Sequence, residues 1–319
     1  MRSIRRILVA VKDPTSKSLP AITKAAQLAQ ALGAELELFH SISTRLYIGA
    51  YSFNEPLRDI ERTIRSRSLK ELEAIATSVR RQALKVAVSV EWDYPIYEAI
   101  VRRATRLRAD LIVAERHGGR HFAPSLLHLI DWELLRLSPV PLLLVKTTGP
   151  YREPTVLAAI DPAHAYSKPE KLDDEILRVG SAVTTALRGT LHAIHAYIPV
   201  QSGVLPGNSP IENVQTAAVA QRGFDRVLRS VKVPNARRHL VGRHPIDAIE
   251  QIARETHSAI VVMGAVSRSG LKRLFIGNTA ESLLDRLPCD MLIVKPAHFA
   301  TRVQRRRRGV RLVAMATTP

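Results

Sequence analysis

AIVVMGAVSRSGLKRLFIGNTAESLLDRLPCDMLIVKP, residues Ala259 to Pro296, decides the fold. It divides into a buried-type strand (Ala259 to Met263), a glycine-punctuated loop opening a helix (Gly264 to Leu287) and a second apolar strand (Met291 to Val294). Gly264, Gly270 and Gly277 fall where a backbone has to pass close to a neighbour, and Asn278 with Thr279 put polar side chains at the predicted helix start. A strand feeding such a loop aims successive main-chain N–H groups at one spot. Those donors are unpaired and the helix dipole adds partial positive charge, so the spot suits a phosphate.

Working outward, the same pattern occurs earlier in the chain. At an offset of 149 residues, which sets Glu115 under Gly264, AIVRRATRLRADLIVAE from Ala99 lies over AIEQIARETHSAIVVMG from Ala248. That offset also pairs Pro139 with Pro288, Lys146 with Lys295, and ILVAV at Ile7 with VLAAI at Val156. The second strands, ALGAELELFH ending at His40 and ALRGTLHAIH ending at His195, match at 155, so the second copy carries six extra residues before that strand. The chain is a tandem duplication. Residues 1–150 form the first domain, 151–298 the second and 299–319 a basic flexible tail, with TTGPYREP (Thr147 to Pro154) as the linker.

Each copy alternates strands with crossover helices. In the first, strands are predicted near 4–11, 34–42, 85–92, 110–115 and 141–146, with helices over 18–32, ended by Gly33, and from Asn54 to about Leu84. The corresponding middle helix of the second copy is predicted near 210–231. Short Val, Ile and Leu runs separated by helices predict an α/β fold, each copy a five-stranded parallel sheet flanked by helices. Ligands of such sheets sit at the carboxyl ends of the strands, where the strand order reverses.

Composition narrows the class. The apolar fraction of 46% is that of a globular protein, and no run approaches the ~18 apolar residues of a membrane span. MRSIRRILVAVKD has a basic start but only a short apolar run, so neither a signal peptide nor an anchor is expected. Cys289, the single cysteine, excludes an internal disulfide framework, fits a cytoplasmic setting, and reads as a packed thiol rather than a redox sensor. The net charge of +18 divides as +8 over residues 1–150, +4 over 151–298 and +6 over the remainder. Arg305 to Arg308 in the tail would attract nucleic acid, anionic lipid or an acidic partner; a solvated tail that favours solubility is the alternative reading.

The strand-four segment resembles the universal stress protein family, whose members carry G-2x-G-9x-G-[ST] here and hold the phosphates and ribose of ATP with it. Gly264 fills the first glycine, Ser267 stands in place of the second, and nine residues later come Gly277, Asn278 and Thr279. The flanking FIGNTAE and CDMLIVKP are also family-like, and the likeness extends over about residues 4–296. It implies two tandem domains of the HUP, adenine-nucleotide α-hydrolase-like type. Dimers of this family pair through edge strands, so it also implies a homodimer or an intramolecular pseudo-dimer of the two copies. By position, the implied ligand residues are Asp161, Pro162, Met263, Gly264, Ser267, Arg268, Gly270, Gly277, Asn278 and Thr279, and the implied cofactor is ATP or another adenine nucleotide, with Mg. Ser267 adds a Cβ where the family's nucleotide binders approach most closely. Asp161 has two readings, a ligand residue on the adenine and metal side or an Asp-Pro turn before Pro162. Arg268, Lys272 and Arg273 supply positive charge near the loop or form a solvated helix face.

The first copy lacks this loop. Its counterparts are Glu115 for Gly264, Gly118 for Ser267, His128 for Gly277, Leu129 for Asn278 and Ile130 for Thr279, so an acid would repel phosphate and the polar end is gone. His117 and His121 lack a third ligand and a rigid scaffold, and no metal site is expected there or elsewhere. No P-loop, adenylating motif or nucleophile elbow is present, so no catalytic residue is assigned; a weak ATPase is the alternative in the enzyme class. The resemblance therefore implies a non-enzymatic stress-response protein able to hold an adenine nucleotide or other small anionic ligand in its second copy, with a basic nucleic-acid-associated protein acting through the arginine-rich tail as the alternative.

Overall fold

The computed structural model describes residues 4–43, 46–48, 57–116, 124–162, 171–199, 214–265, 278–296, 299–306 and 313–315. In chain order the elements are β1 (Arg6–Ala10), α1 (Pro20–Leu32), β2 (Glu35–Ile42), β3 (Leu46–Ile48), α2 (Leu57–Arg80), β4 (Val86–Trp92), α3 (Ile96–Leu107), β5 (Leu111–Glu115), α4 (Pro124–Leu137) and β6 (Leu142–Val145). There follow β7 (Thr155–Ala159), α5 (Leu172–Ala186), β8 (Thr190–Pro199), β9 (Val214–Gln215), α6 (Ala217–Leu228), β10 (Arg238–Gly242), α7 (Pro245–Glu255), β11 (Ile260–Gly264), α8 (Asn278–Arg286), β12 (Asp290–Val294) and β13 (Val313–Met315). Among the described residues no helix is long and apolar enough to cross a membrane.

Two compact units result. The first comprises Met1–Val140, Thr148–Pro150 and Thr301–Pro319, the second Pro141–Thr147 and Tyr151–Ala300. In the first unit the parallel strands run in the order β5-β1-β2-β4. In the second the order is β10-β8-β7-β11-β12-β6, with β9 appended to β8. The central strands β1, β5, β7 and β11 carry nearly uninterrupted buried runs, as strands covered by helices on both faces must.

The duplication is written in the backbone as well as the sequence. Helices α1 and α5 end at Gly33 and Arg188, both left-handed (φ 64° and 54°), and α3 and α7 end at Arg108 and His257, again both left-handed (φ 54° and 48°). Each pair is separated by one of the two repeat offsets. The residue after each then donates its N–H five residues back, Ala34 to Ala29, Gly189 to Thr184, Ala109 to Ala104 and Ser258 to Ala253, at 2.8–2.9 Å. These bonds satisfy carbonyls that a helix end leaves open.

The expectation of five parallel strands per copy needs correction. Strand β6, the fifth of the first repeat, belongs to the second unit and pairs antiparallel with β12, Leu292 opposite Leu143. A four-residue, fully buried apolar run pairs equally well in either direction, and here anchoring polar contacts hold it in place. Asp290, with no exposed surface, accepts from the N–H of Lys146 (2.8 Å), the N–H and hydroxyl of Thr147 (both 3.0 Å) and the Tyr151 hydroxyl (2.6 Å). Lys146 Nζ in turn donates to the carbonyls of Leu284 and Leu287, where the open end of α8 attracts a cation. A second correction concerns the tail: residues Val313–Met315, expected to lack regular structure, pair in parallel with β3. An edge strand offers unpaired N–H and C=O groups, and a short stretch of tail backbone satisfies them. The helices are shorter than their apolar periodicity predicts. Helix α6 starts where the Thr216 hydroxyl accepts the N–H of Val219, and α2 ends at Arg80, whose guanidinium folds over to the Val86 carbonyl.

Candidate functional site

In the second unit the chain proceeds from β7 outward to β8 and β10, then returns to the other side of β7 as β11. The strand order therefore reverses between β7 and β11, and their carboxyl ends frame the crevice where such sheets hold ligands. Asp161 and Pro162 leave from β7, Gly264 and Ala265 from β11, and both pairs flank the reversal.

Asp161 is half-buried, and its backbone N–H donates to Oδ1 of Asp173 at 3.1 Å. Asp173 is a buried carboxylate in the first turn of α5, where the helix dipole favours negative charge. Pro162 lies under α6, since a Cβ built on Gly223 would come within 3.1 Å of the Pro162 Cβ. The Asp161–Pro162 segment is thus held from two sides. Met263 is buried in the core, which leaves its backbone as the part nearest the crevice.

Gly264 is needed for packing: a Cβ there would lie 2.7 Å from Leu172 Cδ2 and 3.2 Å from Ile176 Cδ1. The close approach inferred from sequence is an approach to α5. Asn278 opens α8 and Thr279 follows it, half-buried, in a nine-residue helix whose first N–H groups lack intrahelical partners. Ser267, Arg268, Gly270 and Gly277, with Lys272 and Arg273, lie outside the described residues. Among the described residues no group of three or more His, Cys, Asp or Glu side chains is arranged to hold a metal ion.

Neighbouring strands add groups of their own. His195 on β8 is buried between Tyr197 and Phe224, with ring centroids 6.4 and 6.1 Å away, the setting of a packed core side chain. Its counterpart His40 donates from Nδ1 to the Val11 carbonyl (2.9 Å), and burial lowers its proton affinity. Cys289 is a buried thiol pushed up by burial to about 11, so little thiolate forms at neutral pH.

The equivalent place in the first unit, between β1 and β5, is a cleft of about 180 Å³ lined by Lys12, Asp13, Ser16 and Glu115 among others. Asp13 accepts from the Thr15 hydroxyl (2.7 Å) and N–H (2.9 Å), bonds that hold its carboxyl below the ordinary carboxylate range. Two carboxylates thus face the crevice where the second unit presents Gly264. A second cleft of about 210 Å³, between β1 and β2, adds His40, Ser41 and Ser43.

Two participants were not legible in the sequence. Asp173 sits in an acidic run, Asp173–Asp174–Glu175, that reads as a solvated helix start. Lys295 reads as a strand-end surface lysine, yet it is 6% exposed, and its Nζ donates to the Ala265 carbonyl at 3.1 Å.

The geometry defines a class: a duplicated, doubly wound α/β protein whose strand order reverses in each copy. The universal stress protein family model matches residues 3–146 and again 156–295, and the chain belongs to that family. Universal stress protein E of Salmonella typhi is 27% identical over 311 residues, covering 93% of this chain and 96% of that protein. Universal stress protein E of Escherichia coli is 25% identical over 307 residues, with the same coverage. Among solved structures, a functionally unknown protein from Pseudomonas aeruginosa PAO1 is similar with a TM-score of 0.69, 24% identity and coverage of 92% of this chain and 94% of that one. A universal stress protein from Archaeoglobus fulgidus gives 0.62 at 16% identity, covering 92% and 99%. Both structures share the tandem architecture.

Proposed function

We propose that the chain is a cytoplasmic stress-response protein without catalytic activity, which holds an adenine nucleotide, ATP with Mg, or another small anionic ligand in its second repeat. The ligand residues in this reading are Asp161, Pro162, Met263, Gly264, Ser267, Arg268, Gly270, Gly277, Asn278 and Thr279. One observation carries it: the strand order reverses between β7 and β11, so that Asp161–Pro162 and Gly264–Ala265 leave the sheet side by side. Mg, which takes few protein ligands, would enter with the phosphates it neutralises. The first repeat, with Glu115 in place of Gly264, would repel a triphosphate.

Native mass spectrometry of the purified chain with and without MgATP tests this. A bound nucleotide in the wild type that is lost in Gly277→Asp supports the reading. The bare-chain mass in both conditions removes the nucleotide, and phosphate release that survives Gly277→Asp shows an ATPase centred elsewhere. A second reading, a nucleic-acid-associated protein acting through the tail, draws on Arg305 and Arg306, both exposed. A salt-dependent gel shift abolished by deleting residues 299–319 is its signature.

A further inference from the structure

The positive charge of the second repeat is gathered on one edge. From Arg222 to Arg243, a stretch that covers the second half of α6, the turn after it and β10, seven Lys and Arg stand against a single acid, Asp225, a net charge of +6. Residues 151–298 as a whole carry +4, so the remainder of the repeat is net −2. The first repeat is different. Ala193 pairs with Arg238 on β10 as its counterpart Leu38 pairs with Val88 on β4, an offset of 150, and the matching stretch Leu72 to Asp93 holds three cations and three acids. Charge that only keeps a protein soluble works wherever it is spread, so its collection on one edge of one copy calls for another cause.

Helix α6 buries Ala220, Phe224 and Leu228 and packs on β8 and β10. The opposite side carries Arg222, Arg226 and Arg229 at the spacing of one helix face, a row about 10 Å long at 1.5 Å per residue. All three are exposed, as is Lys232 beyond the helix end, and none has an ion-pair partner among the described residues. Asp225 does not neutralise them, because its carboxylate is held by Gln221 Nε2 (2.9 Å) and Arg238 Nη1 (3.4 Å). Asp247 and Glu250 on α7 are likewise taken, by Arg286 at 2.7 and 2.6 Å. Strand β10 is the last of its sheet, so its outer edge adds main-chain N–H groups that no other described strand accepts from.

The geometry points to a docking surface for the phosphate backbone of a nucleic-acid duplex on this edge, contacted through Arg222, Arg226, Arg229 and Lys232 without reading the base sequence. A duplex presents one negative charge per ~1.7 Å of its axis, so a row about 10 Å long meets several phosphates at once, and each one neutralised releases condensed counterions. The forked donors of guanidinium groups match phosphate oxygens. Other anionic macromolecules fit less well. Val219 is the exposed large apolar side chain of α6, and no Phe, Tyr or Trp is exposed on this edge among the described residues. An acidic protein needs aromatic or apolar anchors, and a single strand needs rings to stack on. The surface requires neither the arginine-rich tail nor the nucleotide reading of the second repeat.

Fluorescence anisotropy of the full chain with a labelled mixed-sequence duplex of about 30 base pairs, from about 50 to 200 mM salt, tests this. Against the wild type, Arg222→Gln/Arg226→Gln/Arg229→Gln should make the slope of log affinity on log salt shallower by about 2–3 and weaken binding at about 100 mM salt by at least about tenfold. Each single variant should remove about one unit of slope. The three side chains are exposed, so the fold should persist, and circular dichroism checks it. Arg62→Gln/Arg65→Gln/Lys70→Gln removes three exposed cations of α2 in the first unit and should change affinity by less than about twofold. Equal losses in the two triple variants would show attraction by net charge alone and overturn the docking surface. It is overturned as well if the wild type binds no duplex at the lowest salt, or if binding survives the α6 triple variant and disappears on deleting residues 299–319. Binding of polyglutamate without binding of the duplex would assign the edge to an acidic protein instead.

Discussion

Gly264 and Leu172 are packed so closely that a methyl group on the first would sit 2.7 Å from Cδ2 and 3.1 Å from Cγ of the second. The glycine that ends β11 is therefore fixed by the helix α5 that covers the sheet. Gly264→Ala is expected to cost about 1–3 kcal/mol, the usual penalty for overfilling a packed core. Adding Leu172→Ala should return part of that loss. A double-mutant cycle in urea would show the coupling, and strict additivity would mean the contact is not what constrains the glycine.

Lys295→Met should stabilise the ligand-free protein at neutral pH. The folded-state affinity of about 7 lies below the ordinary 10.5, so between those values the unfolded chain binds a proton that the fold does not. Unfolding free energy in the wild type thus rises with pH from about 7 towards 10.5, and below about 7 the full cost of the buried charge is present. Removing the amine should gain about 2–4 kcal/mol at pH 7 and flatten that rise. Urea midpoints from pH 6.5 to 10 for both proteins check the prediction.

Tyr151→Phe should weaken the second unit by about 2 kcal/mol, because it removes a hydroxyl that donates to a fully buried carboxylate. The same contact has a pH signature. Burial, then the neighbouring Asp290 charge, raises the Tyr151 phenol well above its ordinary 10.0. Its contribution is complete below pH 10 and is lost as pH rises from there towards the folded-state value. Ultraviolet titration should show one fewer late-ionising tyrosine in the variant than in the wild type, where Tyr97 is also raised above its ordinary 10.0.

Arg108→Gly and His257→Gly should each stabilise the chain. Both residues hold left-handed backbone at helix ends, where Gly33 does so at the end of α1. A side chain in that region costs about 1 kcal/mol relative to glycine, and the two sites stand in different units, so the gains should add. Thermal unfolding of the two single variants and the double variant checks both size and additivity.

Arg102 and Asp93 form a buried ion pair in the first unit, 2.8 Å from Nε to Oδ2, with Glu98 as a second acceptor at 2.6 Å. Arg102→Met should cost about 3–5 kcal/mol, because it leaves the Asp93 carboxylate buried without its cation. By the 149-residue offset the second repeat carries Gln251 and Gly242 at these positions, so the loss should be confined to the first unit. Hydrogen exchange resolved by segment would show whether it is.

The duplication and the alternation of strand and helix were legible in the sequence alone. They follow from local periodicity and from a repeat long enough to be read without a partner chain, as the matching left-handed helix ends at Arg108 and His257 attest. Tertiary structure decided what depends on contacts between distant residues. The run Leu142–Val145 specifies a strand, but only the Asp290 contacts some 140 residues later determine that it pairs antiparallel with β12. Lys146 and Lys295 end near-identical segments, PLLLVK and DMLIVK. One meets the carbonyls at a helix end and the other is buried beside Ala265, because the charge and burial around a side chain are set by what folds against it.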